Sequence, residues 1–229
     1  LATCCGAFSD KWAGVAKSCG KNVDELKVEW GKPTLPDMID EKLATGKYSA
    51  ITLVYNETST GLTNPVYDIS KMMKEKYPDV LVFVDSVSAM VGLPLHFDEL
   101  GWDVTFASVQ KAFAIPPGLA VAAVSNKALE KSSNVPNRGY YFDFQMFAKM
   151  AGKNQTPTTP NIPHIMALHY QCEKLLNEGM DNVWERHKEM AEFVRAWAKE
   201  KYGLFCDEKY ASDTLTTIKN TKGINVAET

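Results

Sequence analysis

The sequence predicts an α/β fold, a mostly parallel sheet with helices on both faces. Two observations carry that expectation. Residues 50–55 (AITLVY) and 80–84 (VLVFV) are apolar runs of strand length, and the second lacks alternation, as in a strand buried on both faces. Such runs also alternate with amphipathic stretches of helix length, the pattern of a sheet covered on both sides. With 229 residues, the chain can bury a sizeable core. An apolar fraction of 45% with 23% charged residues excludes chain-wide disorder. Acidic residues outnumber basic ones 28 to 25, which excludes a nucleic-acid partner held by bulk positive charge. No apolar run approaches the ~20 residues of a membrane span, so no membrane partner is expected.

In chain order, residues 11–18 predict a short helix ended by Gly20, and 23–28 a short strand. Residues 35–44 read as a helix entered through Pro36 and closed near Gly46. Strand 50–55 follows, then a helix over 65–76 with proline at its start. Further strands are expected at 80–84, 104–108 and 119–124. The last third changes character. Residues 140–150 are aromatic and helical, and 162–176 and 181–201 are long helical stretches. Gly179 is expected to end the first of these, and Asp181 to cap the second. On the second, Trp184, Met190, Ala191, Val194, Trp197 and Ala198 form one broad apolar face, expected to pack in a core or between domains. Residues 212–219 read as a strand opening a new unit.

In open parallel sheets ligands gather beyond the carboxyl ends of the strands. The first such exit carries Asn56-Glu57-Thr58-Ser59-Thr60-Gly61, whose hydroxyls and glycine suit an anion or a polar ring substituent. The second carries Asp85, an acid that is costly at a buried strand end unless it meets a cation. The third carries Gln110 and Lys111, followed by the stiff turn Pro116-Pro117-Gly118. Each has a plainer reading alone: a helix cap, a surface lysine, a loop. Together, an acid and a lysine at separate strand exits call for a partner between them. A pyridine ring that needs protonation and an aldehyde that needs an amine would satisfy both.

The segments ETSTG, VDSVSAMVGLP, DVTFASVQKAFAIPPG and TPTTPNIP resemble the class V pyridoxal-phosphate aminotransferases, most of all the alanine–glyoxylate and serine–pyruvate or serine–glyoxylate group. The resemblance runs in register over essentially the whole chain, with Asp85 standing 26 residues before Lys111. It implies the large domain of a fold type I enzyme over 1–180. It implies a linking helix and the start of a small C-terminal α/β domain over 181–229. The cofactor would be pyridoxal 5′-phosphate. Lys111 would form its Schiff base and move the substrate's α-proton. Asp85 would pair with the ring nitrogen, Thr58 would bond the phenolic oxygen, and Gln110 would contact the phosphate. Phe8 stands where the family usually carries a tryptophan on the ring face, and Val87 would cover the opposite face. Thr156 and Thr159 would reach the phosphate of a neighbouring subunit, which implies a homodimer with shared active sites. The substrates would be a small amino acid, alanine or serine, and a 2-oxo acid, glyoxylate or pyruvate.

On this resemblance the chain reads as a fragment, with the family's phosphate loop before Leu1 and its substrate-carboxylate arginine after Thr229. Arg138, Arg186 and Arg195 do not match that arginine's motif. His96, His164, His169 and His187 read as ordinary residues. Rival readings are a phosphonate or phosphoserine aminotransferase and a cysteine desulfurase-like lyase. The last is disfavoured because Gln110, not histidine, precedes the lysine. A non-enzymatic nucleotide-binding module lacks a glycine-rich phosphate motif. Five scattered cysteines without metal-ligand spacing predict a reduced, cytoplasmic protein without a metal site.

Overall fold

The computed structural model describes residues 1–226. The chain opens with strand β1 (Ala2–Cys4), which turns through Cys5 and Gly6 into helix α1 (Ala7–Ser18). Sequence reading begins this helix at residue 11 and misses β1, because three residues are too few to display a period. Strand β2 (Glu25–Lys27) and helix α2 (Pro36–Leu43) follow. Next come β3 (Ala50–Val54) and the small hairpin β4 (Asn56–Glu57) and β5 (Leu62–Thr63). Helix α3 (Val66–Lys76) leads to β6 (Leu81–Asp85), the short α4 (Phe97–Leu100), β7 (Val104–Ser108) and β8 (Ala120–Val124). The chain then becomes helical: α5 (Asn126–Ser133), α6 (Phe144–Ala151), α7 (Ile162–Glu178) and α8 (Met180–Lys201).

Six strands form one sheet in the order β2-β1-β3-β6-β7-β8. All neighbours are parallel except β7 and β8. The connection of residues 109–119 is shorter than the roughly dozen residues a parallel crossover needs, so β8 must return antiparallel. Val82 and Val84 of β6 sit in a core with Ile51 and Leu53 of β3, Ile39 of α2, Ile69 of α3 and Trp102. The Trp102 indole N–H donates to Ser70 Oγ at 2.8 Å, so this large ring is buried without an orphaned donor. The opposite face of the sheet lies under α1, where Trp12 meets Phe106 edge-on at 5.3 Å. That cover is partial. Leu81, Phe83 and Asp85 are half-buried, so β6 is fully buried on one face only, not both.

Helix boundaries follow local chemistry. Ser125 and Asp143 accept backbone N–H groups at the starts of α5 and α6, at 3.0 and 3.1 Å. Gly179, at φ 86°, both ends α7 and begins α8, so Asp181 lies inside the first turn rather than capping it. The broad apolar face expected on α8 is not covered. Val183, Ala191 and Ala198 are buried in a narrow stripe, while Met190, Val194 and Trp197 remain exposed. Small side chains let the stripe approach its neighbours; the larger ones lie outside it. Residues 212–219 form no strand. Single bridges join Leu62 to Ala211 and Leu204 to Ile218. This segment instead folds back on the strand ends, with the Ser212 N–H donating to Gly61 O at 2.9 Å.

Candidate active site

The chain leaves β1 toward β2 on one side, and leaves β3 toward β6 on the other. The crevice beyond the carboxyl ends of β1 and β3 is therefore the topological switch point, where open sheets bind ligands. Phe8 follows β1, Thr58 follows β3, Asp85 ends β6, and Gln110 and Lys111 follow β7. These strands are consecutive in the sheet and parallel, so the fold gathers five of the expected residues along one edge. Val87 joins them through its neighbour, because its N–H donates to Asp85 Oδ1 at 2.8 Å.

Asp85 is half-buried, and burial pushes its carboxyl pKa above the ordinary value; the Val87 N–H opposes the shift and the Glu57 charge adds to it. Among the described residues no cation pairs with it. Its plainer reading as a cap is partly realised, since residues 86–90 form turns rather than a helix. Lys111 sits in a braced turn. Its N–H donates to Ser108 O at 3.3 Å, its carbonyl accepts from Ala114 N–H at 2.8 Å, and Ala114 takes a left-handed φ of 56°. Among the described residues its ammonium has no hydrogen-bond or ion-pair partner. The Pro-Pro-Gly turn beyond it is held by α7. His164 Nε2 lies 3.1 Å from Pro117 O, and Asn161 Nδ2 donates to Gly118 O at 3.4 Å.

Thr58 Oγ1 lies 2.8 Å from Ser88 Oγ, which accepts from Asn56 Nδ2 at 2.8 Å, and Asn56 Nδ2 also donates to Thr214 Oγ1 at 2.9 Å. Ser59 is committed differently: its hydroxyl donates to Glu57 Oε1 at 2.7 Å. Glu57 is completely buried and accepts from the Phe8 N–H at 3.3 Å and the Ser9 N–H at 2.9 Å. In the sequence the hydroxyls of ETSTG stand out as candidates and its acid does not. The available signal was a glutamate at a strand exit with no basic residue beside it.

Gln110 is exposed and accepts from the Ser108 hydroxyl. Thr156 and Thr159 lie elsewhere, in the exposed loop between α6 and α7. Thr156 Oγ1 donates to Thr158 O at 2.7 Å, and the loop borders a hollow of about 470 Å³ lined by Asn154, Gln155, Thr156 and Pro160. No hydrogen bond joins either threonine to the strand-end residues. The three arginines are engaged locally, with Asp143, Glu178 and Asp213.

An unpaired half-buried carboxylate, an unpaired lysine and a hydroxyl at adjacent strand exits fit a group with a cationic ring nitrogen and a carbonyl. The α/β fold, a mostly parallel sheet flanked by helices, is that of the fold type I pyridoxal-phosphate-dependent aminotransferases. The family model for class V aminotransferases matches residues 6–226, and the chain belongs to that family, whose cofactor is pyridoxal 5′-phosphate. It is 33% identical to the serine–glyoxylate aminotransferase of Methylorubrum extorquens, over all of this chain and 59% of that one. It is 32% identical to the L-aspartate–glyoxylate aminotransferase of Paracoccus denitrificans, over 96% of this chain and 57% of that one. Among solved structures it superposes on an alanine–glyoxylate aminotransferase from a Nostoc species with a TM-score of 0.92 and 25% identity, over 100% of this chain and 61% of that one. The chain thus spans somewhat more than half the length of the relatives it matches. The family match sets aside the reading as a nucleotide-binding module. Among the described residues no helix is long and apolar enough to cross a membrane.

Proposed function

We propose that this chain carries the cofactor-binding core of an enzyme that transfers an amino group from alanine or serine to glyoxylate or pyruvate. The single observation that carries this reading is the pair of charges without an ion-pair partner among the described residues at neighbouring strand exits, Asp85 at the end of β6 and Lys111 after β7. Bound as a Schiff base, the cofactor supplies an electron sink for the substrate's α-carbon. Lys111 would anchor it; once the substrate's own amine has displaced it, the freed lysine amine would take the α-proton and return it, held near its path by the braced turn. Asp85 holds a proton on the ring nitrogen: burial disfavours its lone negative charge, and a cation beside it relieves that cost. Thr58 would donate to the phenolic oxygen, Gln110 would contact the phosphate, and Phe8 and Val87 would cover the two faces of the ring. Residues 1–180 are the large domain in this reading, and 181–229 lead into the small one. A cytoplasmic setting accords with the five free thiols.

Lys111→Ala is expected to abolish the borohydride-trappable adduct completely, as read by mass spectrometry of the reduced protein. An adduct on another lysine with normal turnover would overturn the assignment. Thr156 and Thr159 are proposed to serve the partner's site in a homodimer, which their exposure and the lack of a hydrogen bond to the strand-end residues support. Thr159→Ala should weaken cofactor retention by about 1–2 kcal/mol, the worth of one hydrogen bond to a charged group. Mixing Lys111→Ala and Thr159→Ala subunits should restore some native-like binding, because one site of the heterodimer then carries both lesions and the other none. Binding no better than the parental average would assign the loop to its own subunit.

A further inference from the structure

Helix α1 begins at the switch point, and its first turn exposes N–H groups that no helical carbonyl can reach. Side chains take them all. Ser9 Oγ accepts from the Gly6 N–H at 3.0 Å, and Ser59 Oγ from the Ala7 N–H at 2.9 Å. Glu57 accepts from Phe8 and Ser9, and additionally from the Ser59 N–H at 3.2 Å. The Ser9 hydroxyl lies 3.0 Å from its other oxygen. Every close polar neighbour of this carboxylate can donate, and no cation pairs with it among the described residues. The positive end of α1 balances its charge.

Gly6 identifies what this arrangement requires. Its φ of 173° is extended and open to any residue, so backbone freedom does not explain the glycine. A Cβ there would fall 2.5 Å from both Cγ and Cδ of Glu57. The missing side chain is what lets the acid lie against the turn. Phe8, in contrast, is 44% exposed, so packing does not fix its ring. Its backbone anchor fixes the point from which the ring projects.

We infer that Glu57 is a positioning residue: by gripping the first turn of α1, it sets where Phe8 stands over the cofactor ring. The inference rests on the proposed pyridoxal-phosphate function. Because Thr58 follows Glu57 directly, one acid ties the contact on the β1 side to the hydroxyl on the β3 side. Its charge also bears on Asp85, raising that group's proton affinity.

The test is a double-mutant cycle on cofactor affinity, titrated by absorbance, with visible circular dichroism of the bound cofactor as a second signal. Glu57→Gln places an amide N–H against backbone donors and should weaken binding about tenfold, the worth of a lost charged hydrogen bond. Phe8→Ala should cost a similar factor. If Glu57 acts through Phe8, the double variant binds within about threefold of Phe8→Ala alone, and Glu57→Gln alters the dichroism as Phe8→Ala does. Gly6→Ala, which displaces the acid from the other side, should behave like Glu57→Gln. Losses that multiply to about a hundredfold, with unchanged dichroism in Glu57→Gln, would overturn the inference. Should Glu57→Gln fail to fold, Ser59→Ala takes its place in the same cycle, with the same two outcomes at about threefold. Multiplicative losses with normal wild-type uptake overturn this inference alone. A wild-type chain that takes up no cofactor overturns the proposed function and the inference with it.

Discussion

Glu57 lies just past β3 and Asp85 ends β6, so the two acids stand at adjacent strand exits of one sheet. Glu57 is completely buried, and three backbone N–H groups and two hydroxyls lie within reach of its oxygens. Asp85 is half-buried and receives one N–H. The deeper acid is the satisfied one, and the shallower one carries the electrostatic cost. Burial alone therefore does not tell which acid carries an unmet charge. What distinguishes them is whether the chain itself supplies the partners.

Three substitutions sharpen or break this contrast. Asp85→Ala should lower transamination by about 10² or more, the scale of removing a key electrostatic partner, while the melting temperature of the cofactor-free protein does not fall. Near-native turnover would remove Asp85 from the site. Glu57→Ala should do the reverse to stability. It leaves the start of α1 with buried donors and no acceptor, which costs about 2–3 kcal/mol in a denaturant titration. A loss below about 0.5 kcal/mol, the scale of an ordinary surface substitution, would mean that water satisfies those groups.

The smallest effect is expected from Asp85→Asn in the cofactor-free protein. The folded-state pKa of Asp85 is raised, so its contribution to stability is fully present below the ordinary value of 3.8 and is lost as pH rises through the folded value. Asparagine still accepts the Val87 N–H and carries no charge. The variant should therefore melt higher than wild type at neutral pH, and the gain should fade as pH falls through the carboxylate range. A variant that melts lower at neutral pH would show that a cation already pairs with Asp85 without the cofactor.

The sequence by itself determined five of the six strands of the sheet, all but β1, and most of its helices, because apolar runs and proline or glycine punctuation are local signals. It also singled out Asp85 and Lys111 as candidates, since an acid and a lysine at the exits of apolar strands stand out without any geometry. The register that sets Val54 and Phe106 on either side of Asp85, and so brings these exits together, belongs to the sheet. Tertiary structure alone decided the rest. Strand β8 returns antiparallel because its connection is short, and residues 212–218 lie against the strand ends instead of pairing as a strand. Glu57 became legible only when α1, 48 residues away in sequence at Ser9, brought its open N–H groups to the acid. A hydrogen-bond partner that distant leaves no periodicity and no spacing in the sequence, because the fold, not the chain, sets the separation between them.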